Sequence, residues 1–330
     1  MPIRLQLHTT EQVAGRPSNR VRIGFQEKTI DRNSRLQYDE AENTTDKNCL
    51  MPRTARPSHL PDFENPPVTE VVLSIQFERL RFGIRDIGLL WREFRSAFPG
   101  FEERPPLQAV FERFEPGALS APEVRFELVD KPPMPRIWFL NEAGTVLIQI
   151  QPDRFIHNWR QVQPGDTYPR YERVRDSFVQ EVGVFQSFVN KEDLGELVIN
   201  QCEVTYVNHI VAGEGWERPG QLGRILRQWC DLPPDGTLPE PEGATLEVHY
   251  IMRDAAGGPI GRLHARLEPA IRASDKRPLY VLNLTARGIP QGEGIEGALR
   301  FLDLGREWIV RGFAAMTTFE MHEIWRRTDG

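Results

Sequence analysis

The run Gln149-Ile150-Gln151-Pro152-Asp153-Arg154-Phe155-Ile156-His157-Asn158-Trp159-Arg160 holds the densest set of recognition groups in the chain. If Thr145–Gln151 is a strand, Ile148 and Ile150 face one side while Gln149 and Gln151 face the other. Two amides in register can line a polar groove. Arg154 adds a cation, and Asn158, Trp159 and Arg160 supply an amide, an aromatic face and a forked guanidinium. Such a set suits an anionic or planar ligand. It also suits structural duty: Trp159 in a core, Asn158 holding a turn, Arg160 paired with a carboxylate. A second polar pair, Tyr206 and Asn208, shares a strand face with Cys202 and Val204, while Glu203, Thr205 and Val207 face the other way. A buried Asn208 would need a hydrogen-bond partner.

Other chemistries find less support. The seven histidines form no H-x-x-x-H pattern and no C-x-x-C is present, so no metal site and no cofactor are expected. His249 and His264 fall in adjacent expected strands and can approach each other. There is no G-x-S-x-G. Gly292-Glu293-Gly294-Ile295-Glu296-Gly297 spells a dinucleotide-type glycine pattern, but no following strand completes a βαβ unit and its glutamates oppose a pyrophosphate. It reads as a turn into a helix. Cys202 reads as a small buried hydrophobe.

Composition narrows the classes. The chain has 330 residues, enough for two domains or one large one at roughly 100–200 residues each. Three sparse cysteines, Cys49, Cys202 and Cys230, make no disulfide framework, and reduced thiols in a cytoplasmic setting are expected. No stretch approaches the ~18 apolar residues of a membrane span, and no signal peptide is visible. Residues 1–60 carry 10 Lys/Arg against 7 Asp/Glu, a balance of +3; the whole chain is −6, so residues 61–330 carry −9. An acidic body makes nucleic acid an unfavoured partner.

The positioning elements follow from periodicity. Residues 1–59 have little to bury and read as a disordered extension, or as the product of a start assigned upstream of Met51. Order begins near Leu60. A strand at Val71–Phe77 precedes a helix from Asp86, its expected N-cap, to about Phe98. Short strands are expected at Ala109–Phe114, Val124–Val129, Arg136–Leu140 and Thr145–Gln151, with Phe155–Gln161 continuing the meander. A helix from Tyr168 to about Val189 carries an apolar stripe from Tyr171 to Val189. The pattern then restarts: a strand at Leu197–Val211, a helix at Pro219–Cys230, strands at Thr245–Met252, Gly261–Ile271 and Leu279–Ala286, and a helix from Gly294 to Ala315. The expectation is an α+β protein of two similar halves, 60–193 and 194–330. Each half is an antiparallel meander sheet packed against helices, a possible internal duplication. Thr317 and Glu320 spell a capping box, with Met316 and Met321 as its staple, before a short C-terminal helix.

Leu60-Pro61-Asp62-Phe63-Glu64-Asn65-Pro66-Pro67-Val68-Thr69-Glu70-Val71-Val72-Leu73 resembles the opening motif of a sporadically distributed bacterial family of uncharacterised proteins. The resemblance returns at Gln149–Arg160, at Tyr206–Ile210 and from Leu302 to Trp325. It is closest in Phe313-x-x-Met316-Thr317-Thr318-x-x-Met321-His322-x-x-Trp325. In that family a small residue and a histidine are common where this chain has Gly305 and Arg306, and a glycine is usual at Arg326. The resemblance supports the boundaries and implies no activity. The functional expectation is a non-enzymatic ligand- or partner-binding or regulatory module with an accessory role in defence or stress; the alternatives are an enzyme with a dispersed site in the sheet–helix groove and a nucleic-acid-associated protein, which would need a basic stripe.

Overall fold

The computed structural model describes residues 56–115, 133–230 and 238–328. The first half opens with β1 (Asp62–Phe63), β2 (Val68–Phe77), α1 (Ile84–Phe94) and β3 (Gly100–Arg104). It continues through β4 (Arg136–Leu140), β5 (Val146–Gln151), β6 (Arg154–Arg160) and α2 (Tyr171–Lys191). The second half has β7 (Ile199–Val211), β8 (Leu246–Arg253), β9 (Pro259–Ile271), β10 (Pro278–Gly288) and α3 (Gly294–Met316). A short α4 (Phe319–Ile324) and β11 (Arg327–Thr328) close the chain. The class is α+β.

The two meanders share one sheet. Its nine antiparallel strands run β3-β4-β5-β6-β2-β7-β10-β9-β8. In each half the first strand pairs with the last strand of its own meander, β2 with β6 and β7 with β10. The halves join where β2 pairs β7. Each long helix lies on its own half, α2 against β2 and β6, α3 against β7 and β10.

Alternation makes the helix-side face apolar. Val71, Leu73, Ile75, Phe155, Val204, Leu282 and Leu284 are all fully buried there. Phe155 packs between β6 and α2 edge-on to Phe178 and tilted against Phe185, with ring centroids 6.0 and 5.1 Å away. One polar pair sits within this core: His157 Nδ1 lies 2.6 Å from Glu181 Oε2 on α2. Gly305 lets α3 come down onto the sheet, because a Cβ there would meet Val204 Cγ1 at 2.7 Å and Ala286 Cβ at 3.0 Å.

Several expectations are corrected. The Pro219–Cys230 segment forms only a 3-10 turn at Leu222–Arg224. Its backbone bonds elsewhere: the Arg227 amide donates to Met316 O at 2.9 Å and Ile225 O accepts from the Thr318 amide at 3.0 Å. Ala109–Phe114 is extended but pairs with no strand. Val124–Val129 lies outside the described residues, as do residues 1–55. Asp86 is not the N-cap of α1 but its third residue, accepting from the Gly83 amide at 2.8 Å. In α4 the cap is Thr318, whose hydroxyl accepts from the Met321 amide at 3.3 Å. Thr317 gives its one proton to Phe313 O at 2.7 Å, so its bond of 2.8 Å to His322 Nε2 takes its hydrogen from the imidazole. The glycine pattern at 292–297 is a tight wrap into α3: Gly292 has φ +120°, and its carbonyl occupies the place a Cβ on Gly297 would need.

Candidate functional site

The residues singled out from sequence fall on opposite faces of the sheet. Trp159, Tyr206 and Asn208 point to the helices, while Gln149, Gln151, Arg154, Asn158 and Arg160 point away. No single groove gathers them.

On the face away from the helices, the expected amides bond to one another across strands. Arg136 donates to Gln149 Oε1 at 2.7 Å, Gln149 Nε2 to Asn158 Oδ1 at 2.6 Å, and Asn158 Nδ2 to Glu70 Oε1 at 2.5 Å. Burial raises the Glu70 carboxyl, opposed by this hydrogen bond and by Arg160. Arg160 donates to Gly144 O at 2.9 Å, closing the β4–β5 hairpin loop, rather than gripping a surface carboxylate. Its guanidinium also lies 5.6 Å from the Trp138 ring. Gln151 and Arg154 hold the extended segment 105–115, which crosses this face. Arg262 and Arg287 pair with Glu112, and Arg287 also with Glu203.

The helix-side residues border a cleft. The first and last described strands meet at its rim: β1 pairs with β11, and Phe63 packs edge-on against Phe313, His322 and Trp325 at 5.3–6.2 Å. The N-terminal and C-terminal motifs thus form one aromatic cluster. Below it, Val68, Leu284, Ile309 and Phe313 give an apolar wall, and Tyr168, Tyr206, Asn208 and Arg306 bring polar atoms in. The enclosed space is about 50 Å³, room for a few waters at roughly 10–15 Å³ each. Arg56 and Arg170 stand at the mouth, where both pair with Asp62.

Arg306 is the unusual member. It is 2% exposed, one of its nitrogens holds Glu172 Oε1 at 2.9 Å, and its guanidinium lies 5.2 Å from the Tyr171 ring. Its Nε has no hydrogen-bond partner. A buried N–H left unpaired is costly, about 1–3 kcal/mol. Tyr168 and Tyr206 share one hydrogen bond of 3.0 Å. Burial lifts both phenols above the ordinary tyrosine range, so both stay protonated at neutral pH. Two hydroxyls sharing one bond leave a second O–H proton to donate. Asn208 meets the need foreseen for it: its Nδ2 donates to Leu282 O at 3.0 Å. Trp159 packs against Tyr168 with centroids 5.4 Å apart and so supports the cleft wall.

No family model matches this chain, and no curated protein matches it either.

Tyr206 and Asn208 were visible in sequence. Phe63 lay in the opening motif without a role read for it, and Tyr168 stood only at the start of an expected helix. Arg306 carried a signal: it interrupts the inward spacing Leu299, Leu302, Arg306, Ile309, Phe313 on α3. A charge on a helix's buried stripe is seldom placed there without a partner. Burial drives the Cys202 thiol far up, in keeping with a packing role. His249 and His264 do approach, Nδ1 to Nδ1 at 2.8 Å, but among the described residues no group of three or more His, Cys, Asp or Glu is placed to hold a metal.

Proposed function

We propose that this chain is a binding module for a small organic anion, with the anionic head in the cleft under α3. The observation that carries this is the buried Arg306 guanidinium, which lines the cleft and has an Nε–H with no acceptor. A carboxylate or phosphate oxygen would satisfy it by a charge-assisted bond. A Tyr168 or Tyr206 hydroxyl would give a second donor, and the wall of Val68, Leu284, Ile309 and Phe313 suits a short apolar stem. The small enclosed volume favours a compact head with the stem directed to the mouth, where Arg56 and Arg170 favour negative charge.

The test is calorimetric titration with small aliphatic and aromatic carboxylates and phosphate monoesters. Saturable binding by one chemical class is expected, weakened about 3–10-fold by Tyr206→Phe, which removes one hydroxyl. An affinity unchanged in Tyr206→Phe and in Arg306→Lys would remove the cleft from consideration.

A further inference from the structure

The face of the sheet opposite the cleft is covered by an extended strap, residues 105–115. Among the described residues no backbone–backbone hydrogen bond holds this strap. Side chains of the sheet grip its main chain instead. Gln151 accepts from the Leu107 amide at 3.0 Å and donates to the Leu107 carbonyl at 2.9 Å. Gln76 accepts from the Val110 amide at 3.0 Å. Arg154 and Arg262 donate to the carbonyls of Gln108 and Arg113, each at 3.0 Å.

One strap side chain is anchored by charge. The Glu112 carboxylate, 4% exposed, bonds Arg262, His264 at 2.6 Å and Arg287 at 3.3 Å. Burial alone would raise this carboxyl, but the His264 hydrogen bond and the neighbouring cations bring it below its ordinary value. Most apolar side chains of the strap contribute little hold: Leu107, Val110 and Phe111 are 36%, 39% and 51% exposed, while Phe114 is half-buried, with the Arg262 guanidinium 5.0 Å from its ring.

The fit is imperfect. Arg154 Nε, Arg262 Nε and Gln201 Oε1 are buried on this face without hydrogen-bond partners. A gap of about 10 Å³ remains between strap and sheet, lined by Gln76, Val110, Arg154, Gln201 and Arg287. These three groups have hydrogen bonds left to offer that the strap does not take.

We propose that this face is a peptide-binding surface, and that residues 105–115 occupy it as an internal stand-in for an extended peptide carrying an acidic side chain. Main-chain recognition by Gln76, Gln151, Arg154 and Arg262 is independent of the peptide's side chains. The Arg262–His264–Arg287 pocket supplies the one selective position, for a glutamate or aspartate. A nucleic acid fits less well, because the paired donor and acceptor of Gln151 match a peptide unit and not a phosphate backbone.

The test uses the full chain and a fluorescent peptide of residues 105–115, followed by anisotropy. In the Glu112→Gln chain the strap loses its anchor, so that chain should bind the added peptide at least about tenfold more tightly than the wild type does. Replacing the peptide's own glutamate at the Glu112 position with glutamine should weaken binding by a similar factor. Hydrogen exchange reads the same event without further substitution: the Leu107 and Val110 amides should lose protection when peptide binds. Four results would each overturn the proposal. They are no peptide binding to either chain, binding indifferent to the glutamate, unchanged protection of those two amides, or displacement of the peptide by single-stranded RNA at equal concentration. Concentration-dependent dimerisation of the Glu112→Gln chain in place of peptide binding would assign the face to a second copy's strap and would also overturn it.

Discussion

Replacing Gly305 by alanine sets two effects of opposite sign against each other. Alanine is the better helix former, by as much as ~1 kcal/mol. At Gly305 the added Cβ lies 2.7 Å from Val204 Cγ1 and 3.0 Å from Ala286 Cβ, whereas carbon atoms rest about 3.5–4.0 Å apart. Neither neighbour can swing away. Val204 is β-branched and stiff in χ1, and the other contact is itself a Cβ. The helix must therefore lift from β7 and β10 or the strands must yield, an overpacking cost of about 1–3 kcal/mol. Net destabilisation of about 0–2 kcal/mol is expected. Gly183 on α2 is the control, since a Cβ there meets nothing within 4 Å. The same substitution at Gly183 should stabilise by about 1 kcal/mol. Urea titrations of the two variants should thus differ by roughly 1–3 kcal/mol. Arg306 follows Gly305, so lifting α3 should also weaken anion binding in Gly305→Ala and leave Gly183→Ala unaffected. If Gly305→Ala proves as stable as Gly183→Ala, the close approach of α3 to the sheet is refuted.

Removing His157 as His157→Ala strands Glu181 in the core, 2.6 Å from the lost ring nitrogen, and should cost about 3–5 kcal/mol in a urea titration. Thr318→Ala deletes the α4 cap and the bond to Arg224 O at 2.5 Å; a loss of ~1 kcal/mol is expected, mostly retained by Thr318→Ser. Stability should fall as pH drops below about 6.5. Burial lowers the His249 and His209 imidazoles, with His264 adding to the first and Arg272 to the second. The unfolded chain then takes up these protons at a higher pH than the fold does, so stability is whole above about 6.5 and declines below it. Urea midpoints at neutral and mildly acidic pH check this, and His249→Asn should flatten the slope.

What was legible in sequence depended on whether local pattern and tertiary context agreed. The stripe Tyr171, Val174, Phe178, Val182, Phe185, Val189 gave α2, because every one of those positions is buried against the sheet. The alternation from Cys202 to Asn208 gave β7 and its two faces for the same reason. Leu222, Ile225 and Leu226 misled: their spacing is helical and all three are fully buried, yet the backbone there bonds to Met316 and Thr318 across the chain. Val110 and Glu112 misled differently. The segment is extended, as alternation suggested, but its partners are the side chains of Gln76, Gln151, Arg154 and Arg262, which no periodicity registers. The cleft was half legible. Tyr206 and Asn208 stood out as polar residues in an apolar strand, whereas Phe63 and Tyr168 reach it only because β1 pairs with β11 and the chain turns into α2.

Anion binding in the cleft under α3 is best tested by a crystal structure of the protein grown with an excess of the tightest-binding carboxylate or phosphate monoester. Electron density is expected in the cleft, with an anionic oxygen at hydrogen-bond distance from Arg306 Nε and a second from a Tyr168 or Tyr206 hydroxyl. A cleft without ligand, or an anion bound elsewhere on the molecule, would contradict it.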